Sequence, residues 1–432
     1  MASLLLFGTF ANAQQVEFEE FDLDNGLHVI LHQDNSAPVV ITSVMYNVGG
    51  KDYEPSRTGF AHFFEHLLFE GTPNIGRGEW FTVVSSNGGT NNANTSQDRT
   101  YYYEIFPSNN LEFGLWMESE RLMHPIINQI GVETQNEVVK EEKRLRMDNA
   151  PYGGFLSAIG ENLFKVHPYK EKLIGEMEDL DAATLPEFQA YFKKYYVPNN
   201  AVLVVAGDID KAKTKKMVKD YFGQIPRGAD VVRNFPKEEP ITETIKAKAY
   251  DANIQIPAII LAYRTPGFKN RESYVLDMIS SYLSGGKSSV LYKKLVDEKK
   301  MALQAQAINI PQMDYNIFAI LALPLGDVTL NNLISEMDVE IAKIQTELIS
   351  ERDFQKLKNQ FENQYVNSNS SVEGIAENLA TDYLLKGDVN LINTEIDIYR
   401  TITREEIRDV AKKYLSPNQR LELEYLPKKD DQ

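Results

Sequence analysis

Gly59-Phe60-Ala61-His62-Phe63-Phe64-Glu65-His66-Leu67-Leu68-Phe69 reads as one amphipathic helix carrying His-x-x-Glu-His. Positions i, i+3 and i+4 of a helix share a face, so His62 and His66 point the same way with Glu65 beside them. Two imidazoles one turn apart can hold one Zn²⁺, and a neighbouring carboxylate can take a proton from water that the metal acidifies. The apolar positions between them predict a helix buried on most sides. Glu and His in such company carry a desolvation cost that asks for a function. Two histidines leave a zinc site short, because catalytic sites usually have three protein ligands and an open position. With no cysteines in the chain, thiolate ligands, disulfides and Cys nucleophiles are excluded. His28 and His32 lie in a strand-like segment, and His124 and His167 precede prolines, so a carboxylate is the better third ligand. The helical stretch from Glu133 to Leu145 offers four glutamates. Val138, Glu142 and Leu145 fall on one stripe, which sets Glu142 nearer the core than Glu141.

The elements that must position these groups are also legible. Two strand-like runs flank Asp24-Asn25-Gly26 and end at Gly49-Gly50. A Gly/Asn-rich stretch from Asn87 to Thr95 leads into a strand at Arg99–Phe106. Residues 110–123, 129–148 and 184–196 have helical periodicity, and Ala201–Ala206 reads as a strand. At 432 residues, with 43% apolar and 25% charged residues, the chain predicts two globular domains. A net charge of −17 argues against nucleic acid as a partner. The N-terminus has an apolar run and a small-x-small site, Ala11-Asn12-Ala13, so residues 1–13 are expected to be a signal-peptide remnant and the protein to be exported. No other run is long and apolar enough to span a bilayer.

The chain repeats itself. Lys193-Lys194-Tyr195 with Pro198-Asn199 recurs as Lys412-Lys413-Tyr414 with Pro417-Asn418, an offset of 219 positions. Thr184 and Thr403, Glu187 and Glu406, and Pro38 and Pro257 match at the same offset, which argues for a duplicated domain of roughly 210 residues. The expected organisation is a metal-bearing domain over 14–224, a Pro-containing linker over 225–248, a second copy over 249–425 and a polar tail over 426–432. Shifting His62, Glu65, His66 and Glu142 by 219 lands on Ser281, Ser284, Gly285 and Phe361. The copy keeps the fold signals and none of the metal chemistry, so the motif is chemical more than structural.

Order, spacing and flanks resemble the pitrilysin/insulinase metallopeptidases, whose inverted motif is His-x-x-Glu-His. The similarity covers essentially the whole chain. It includes Gly59 to Thr72, Gly88-Gly89 to Thr95, Val138-Val139-Lys140-Glu141-Glu142, Tyr196-Val197-Pro198-Asn199-Asn200 and Gly285-Gly286-Lys287-Ser288-Ser289-Val290-Leu291-Tyr292. The resemblance implies an α+β fold of two tandem homologous domains, each a mainly antiparallel sheet of about six strands packed against helices. It implies one Zn²⁺ held by His62, His66 and Glu142, with Glu65 as general base. It also implies an edge strand at Asn92-Ala93 where an extended peptide adds by backbone hydrogen bonds.

Three positions depart from the family pattern. Gln135 stands where an acidic residue often supports the third ligand. Val296 and Leu303 stand where an Arg and a Tyr usually hold the substrate and steady the oxyanion, and neither can donate a hydrogen bond to it. The expectation is a periplasmic zinc metalloendopeptidase for peptides or unfolded chains, completed by a homologous partner subunit that supplies the Arg/Tyr pair. The rival readings are a homodimeric processing peptidase and a non-catalytic scaffold subunit.

Overall fold

The computed structural model describes residues 15–54 and 56–428, so the N-terminal apolar run and most of the polar tail lie outside the described residues. Among the described residues, eleven strands form two sheets. The first contains β1 (Glu19–Asp22), β2 (His28–Gln33), β3 (Val39–Tyr46), β4 (Thr90–Thr95), β5 (Thr100–Pro107) and β6 (Ala201–Gly207). The second contains β7 (Ile245–Asp251), β8 (Ala258–Pro266), β9 (Ala302–Ile310), β10 (Tyr315–Pro324) and β11 (Arg420–Pro427). Their spatial orders are β1-β2-β6-β3-β5-β4 and β7-β11-β8-β10-β9. Without β1 the two orders coincide, and each sheet has one parallel pair, β2 with β6 and β7 with β11.

The offset seen in the sequence survives in three dimensions. Helices Leu185–Tyr195 and Arg404–Tyr414 start and stop 219 positions apart, and each opens with a capping box, Thr184 with Glu187 and Thr403 with Glu406. In such a box the N-cap side chain and the N3 side chain satisfy each other's exposed backbone donors, which fixes where the helix begins.

Each sheet is buried on both faces, and period-two alternation assigns the residues. On β6, Leu203 and Val205 join the core beneath the first half's own helices, while Val202, Val204 and Ala206 face a second core. That second core is closed by Ile375, Ala376, Leu379 and Ala380 of helix Val372–Thr381, which belongs to the second half. Reciprocally, Ala158, Ile159 and Leu163 of helix Phe155–Leu163 cover Ile260, Ala262 and Leu423 of the second sheet. Each half thus lends one helix to the other. Two-sided burial explains why β6 is written as an unbroken apolar run. The expected linker over 225–248 is pinned along its length: Arg233 pairs with Asp52 at 2.6 Å and Glu238 with Arg264 at 2.8 Å. Its last residues, from Ile245, already belong to β7. A buried polar knot also ties the halves, with Lys51 2.8 Å from Asp98 and 2.9 Å from Asp314.

In the second half, Asp277 is largely enclosed, accepting hydrogen bonds from Asn309 (2.7 Å) and Tyr399 (3.0 Å). Burial pushes its carboxyl up to about 6 from an ordinary 3.8. The folded protein holds this proton more tightly than the unfolded chain. The stabilising contribution is therefore fully present below the unfolded value and is lost as pH rises through about 6. Melting temperature measured from about pH 4 to pH 7 is expected to carry this downward component, and Asp277→Asn to remove it; identical pH profiles would contradict the assignment.

Candidate active site

The motif helix, α1 (Phe60–Leu67), is held by contacts on most sides. It starts at Gly59 with φ +81, where a Cβ would lie 2.5 Å from the Ile174 carbonyl, so only glycine fits both the left-handed backbone and the close approach. Phe60 stacks on Phe188 with centroids 4.6 Å apart and Phe64 on Tyr191 at 5.3 Å. Tyr102 donates to the Phe64 carbonyl at 2.8 Å, and Arg121 to the Leu68 carbonyl just past the helix end at 3.1 Å. Helix α2 (Trp80–Ser86) precedes the edge strand β4, and α3 (Leu111–Met123) carries Arg121. The third contributor is α4 (Gln129–Lys143), capped by Asn128, whose side chain accepts from Gly131 N–H.

These elements bring His62, His66 and Glu142 together, one ligand atom from each lying within 4.8 Å of the others. His66 Nε2 is 3.0 Å and His62 Nε2 3.4 Å from Glu142 Oε2. Oε2 is buried and makes no well-aligned hydrogen bond to either. Converging donor atoms that do not bond one another are what a metal site requires. Two imidazoles and a carboxylate also suit Zn²⁺, so the residues fit that ion. Burial, and then the neighbouring His66, push the His62 imidazole down to about 4, which keeps it neutral with its lone pair available. His66 beside it holds the Glu142 carboxyl below its ordinary value.

Glu65 lies on the same face, its Oε2 accepting from Thr95 Oγ1 at 2.5 Å. Burial pushes its carboxyl upward, opposed by that hydroxyl. Glu65 and the three candidate ligands open onto a cleft of about 820 Å³, also lined by Asn92 to Thr95 and by Phe69, Phe81, Val138 and Leu145. Strand β4 is the sheet's edge, with Asn92 opposite Tyr103 and Ala93 opposite Tyr102 on β5. The Ala93 N–H donates to Asn92 Oδ1 at 3.0 Å.

Glu142 is where the sequence put it, for a different reason. Val138 and Leu145 are exposed, and Val139 is the buried neighbour. The Val138-Glu142-Leu145 stripe faces the cleft, not the core, because α4 lies against α1 through the adjacent face. Three of the four other histidines serve elsewhere: His28 stacks on Tyr383 at 3.6 Å, His32 bonds the Glu17 carbonyl, and His167 lies 3.5 Å from Asp314. Gln135 turns from the site and donates to Glu70 Oε1 at 2.6 Å. Val296 packs against the second core and Leu303 lies exposed on β9; neither lines the cleft. Thr95 and Arg146 were missed in the sequence, since nothing about a Thr in an Asn-rich run or an Arg in a basic turn marks them.

In the copy, Ser284 replaces Glu65 and does structural work, donating to the Ala307 carbonyl and accepting from its N–H, both at 2.8 Å. Phe361 replaces Glu142 and fills the core.

Residues 28–176 match a family described as Insulinase (Peptidase family M16), and residues 182–361 match Peptidase M16 inactive domain. Zinc protease PqqE of Helicobacter pylori is 28% identical over 421 residues, covering 96% of this chain and 95% of that protein. A crystal structure of a protease from Helicobacter pylori superposes with TM-score 0.89 at 27% identity, covering 95% of this chain and 99% of the other. The periplasmic protease PqqL from Escherichia coli shares the fold at TM-score 0.79 and 19% identity, over 96% of this chain and 48% of that one. The peptidase description covers His62, Glu65, His66 and Glu142, the inactive description starts at residue 182 within the first half and runs into the copy, and the chain belongs to the pitrilysin/insulinase-type peptidase family M16.

Proposed function

We propose that the chain is a zinc metalloendopeptidase for peptides or unfolded polypeptides, with His62, His66 and Glu142 as ligands and Glu65 as general base. The observation that carries this reading is the convergence of His62 Nε2, His66 Nε2 and Glu142 Oε2 beside Glu65 in one open cleft. A bound zinc ion supplies Lewis acidity at the scissile carbonyl and makes water acidic enough to ionise near neutrality. Glu65 takes the proton of the attacking water and passes it to the departing amine, a task helped by a carboxyl that burial makes more basic. Thr95 fixes the direction of Glu65. The edge of β4 at Asn92-Ala93 aligns an extended peptide by backbone pairing, which accepts many side chains.

A homologous partner subunit completes the site in this proposal. Val296 and Leu303 supply no donor, and in the PqqL chain this fold accounts for only about half the length. Export to the periplasm is also proposed, on the apolar run and Ala11-Asn12-Ala13. No helix among the described residues is long and apolar enough to cross a membrane.

The purified chain is expected to hold one zinc per molecule by elemental analysis. It should cleave a quenched-fluorescence peptide weakly alone and strongly with a homologous chain carrying the Arg/Tyr pair. Well-folded protein without zinc would sink the metallopeptidase reading; full activity alone would remove the partner.

A further inference from the structure

We propose that Arg146 is a positioning residue of this centre, holding one oxygen of Glu142 so that the other stays aimed between His62 and His66. The proposal rests on the zinc-site reading above. Arg146 Nη1 lies 2.9 Å from Glu142 Oε1, while Oε2 faces the two imidazoles. The terminal torsion of a glutamate is broad and nearly two-fold, so a free carboxylate could present either oxygen, or both, to a metal. A guanidinium on Oε1 removes that degeneracy.

Every neighbouring basic group on this stretch is engaged elsewhere. Arg144 pairs with Glu141 at 3.0 Å, Lys143 with Asp148 at 2.7 Å and Lys140 with Asp181 at 2.6 Å. Gln135, at the usual place of support, bonds Glu70 instead. Metal-binding histidines commonly gain their orientation from a hydrogen bond at the other ring nitrogen, but His62 Nδ1 is buried without a partner. The packing of α1 orients the histidines. Glu142 sits on a helix with far less cover, and among the described residues Arg146 is the one side chain besides the histidines close enough to orient its carboxylate. The backbone widens into a π turn over Arg144–Asp148, with the Asn149 N–H reaching the Arg144 carbonyl at 2.8 Å. Such turns recur at functional sites. The Arg146 side chain is 79% exposed, so the ion pair adds little to folding; its effect is on where Oε2 points.

The charge of Arg146 by itself repels a cation, so orientation and repulsion predict opposite results. Zinc affinity of the metal-free full chain is to be measured by competition with a chromophoric chelator, for wild type, Arg146→Ala and Arg146→Lys. Arg146→Ala is expected to bind zinc about 10-fold more weakly, the usual scale for losing an outer-sphere partner. Its circular dichroism and the melting temperature of the metal-free protein should be unchanged. Arg146→Lys should recover part of the loss, because an ammonium can still hold one oxygen. With Co²⁺ as the probe, the visible spectrum of Arg146→Ala should differ from that of wild type. Unchanged or tighter zinc binding by Arg146→Ala, with an unaltered Co²⁺ spectrum, overturns the proposal. A wild-type chain that binds no zinc refutes the underlying site reading, and this proposal with it.

Discussion

Glu65→Gln is expected to lower kcat by a factor of about 10²–10⁴, the range a positioned acid–base group contributes, while one zinc per chain remains bound. The separation of the two readouts follows from the geometry. The candidate ligand atoms belong to His62, His66 and Glu142. Glu65 is tied instead to the edge strand through Thr95. A glutamine has nearly the same shape and can still accept from Thr95, so the helix and the ligands stay in place, but an amide cannot take a proton from water. Peptide hydrolysis and metal content measured on the same preparation check this. Turnover near the wild-type rate in the variant would refute the assigned base. Loss of zinc together with activity would place Glu65 among the ligands.

Arg121→Ala is expected to destabilise the protein by about 3–5 kcal/mol, because it leaves buried carboxylates without their cation. Arg121 is fully buried, with Nη2 2.6 Å from Glu104 and Nε 3.2 Å from Glu118, both equally buried. Its guanidinium also lies 4.1 Å from the Trp80 ring and 4.6 Å from those of Phe69 and Tyr102. Burial pushes the Glu104 carboxyl well above its ordinary range even with Arg121 present. Removing the cation leaves two acids in a low-dielectric core and frees the Leu68 carbonyl at the end of α1. Urea unfolding followed by tryptophan fluorescence measures the loss. Adding Glu104→Gln and Glu118→Gln to Arg121→Ala should recover part of it, since no uncompensated charge then remains. A loss below about 1 kcal/mol for Arg121→Ala would show that the triad is not the strut beneath the motif helix.

Most of the local structure was legible because it depends on short-range rules. The helix of His62 and His66, the helical period over 184–196 and the apolar run of β6 are set by side-chain period. The repeat was legible for the same reason, since equivalent helix starts need equivalent caps. The stripe through Val138, Glu142 and Leu145 was read correctly as a shared face but assigned to the wrong surroundings. Periodicity says which residues point together; it does not say whether they meet a core or an open cleft.

The amino-acid sequence alone therefore determined the chemistry available: two imidazoles and a carboxylate on one turn of helix, a carboxylate-rich second helix, and a second copy stripped of all of them. The tertiary structure decided how Glu142, 76 positions beyond His66, reaches the imidazoles: the packing of α4 on α1 brings it there along the face that opens onto the cleft. It also decided that Thr95 steers Glu65, that Arg146 divides the oxygens of Glu142, and that each half closes the other's sheet with a borrowed helix. These are contacts between residues far apart in the chain. They leave no local pattern, because each needs only one side chain of suitable length and charge at a place that the rest of the fold defines.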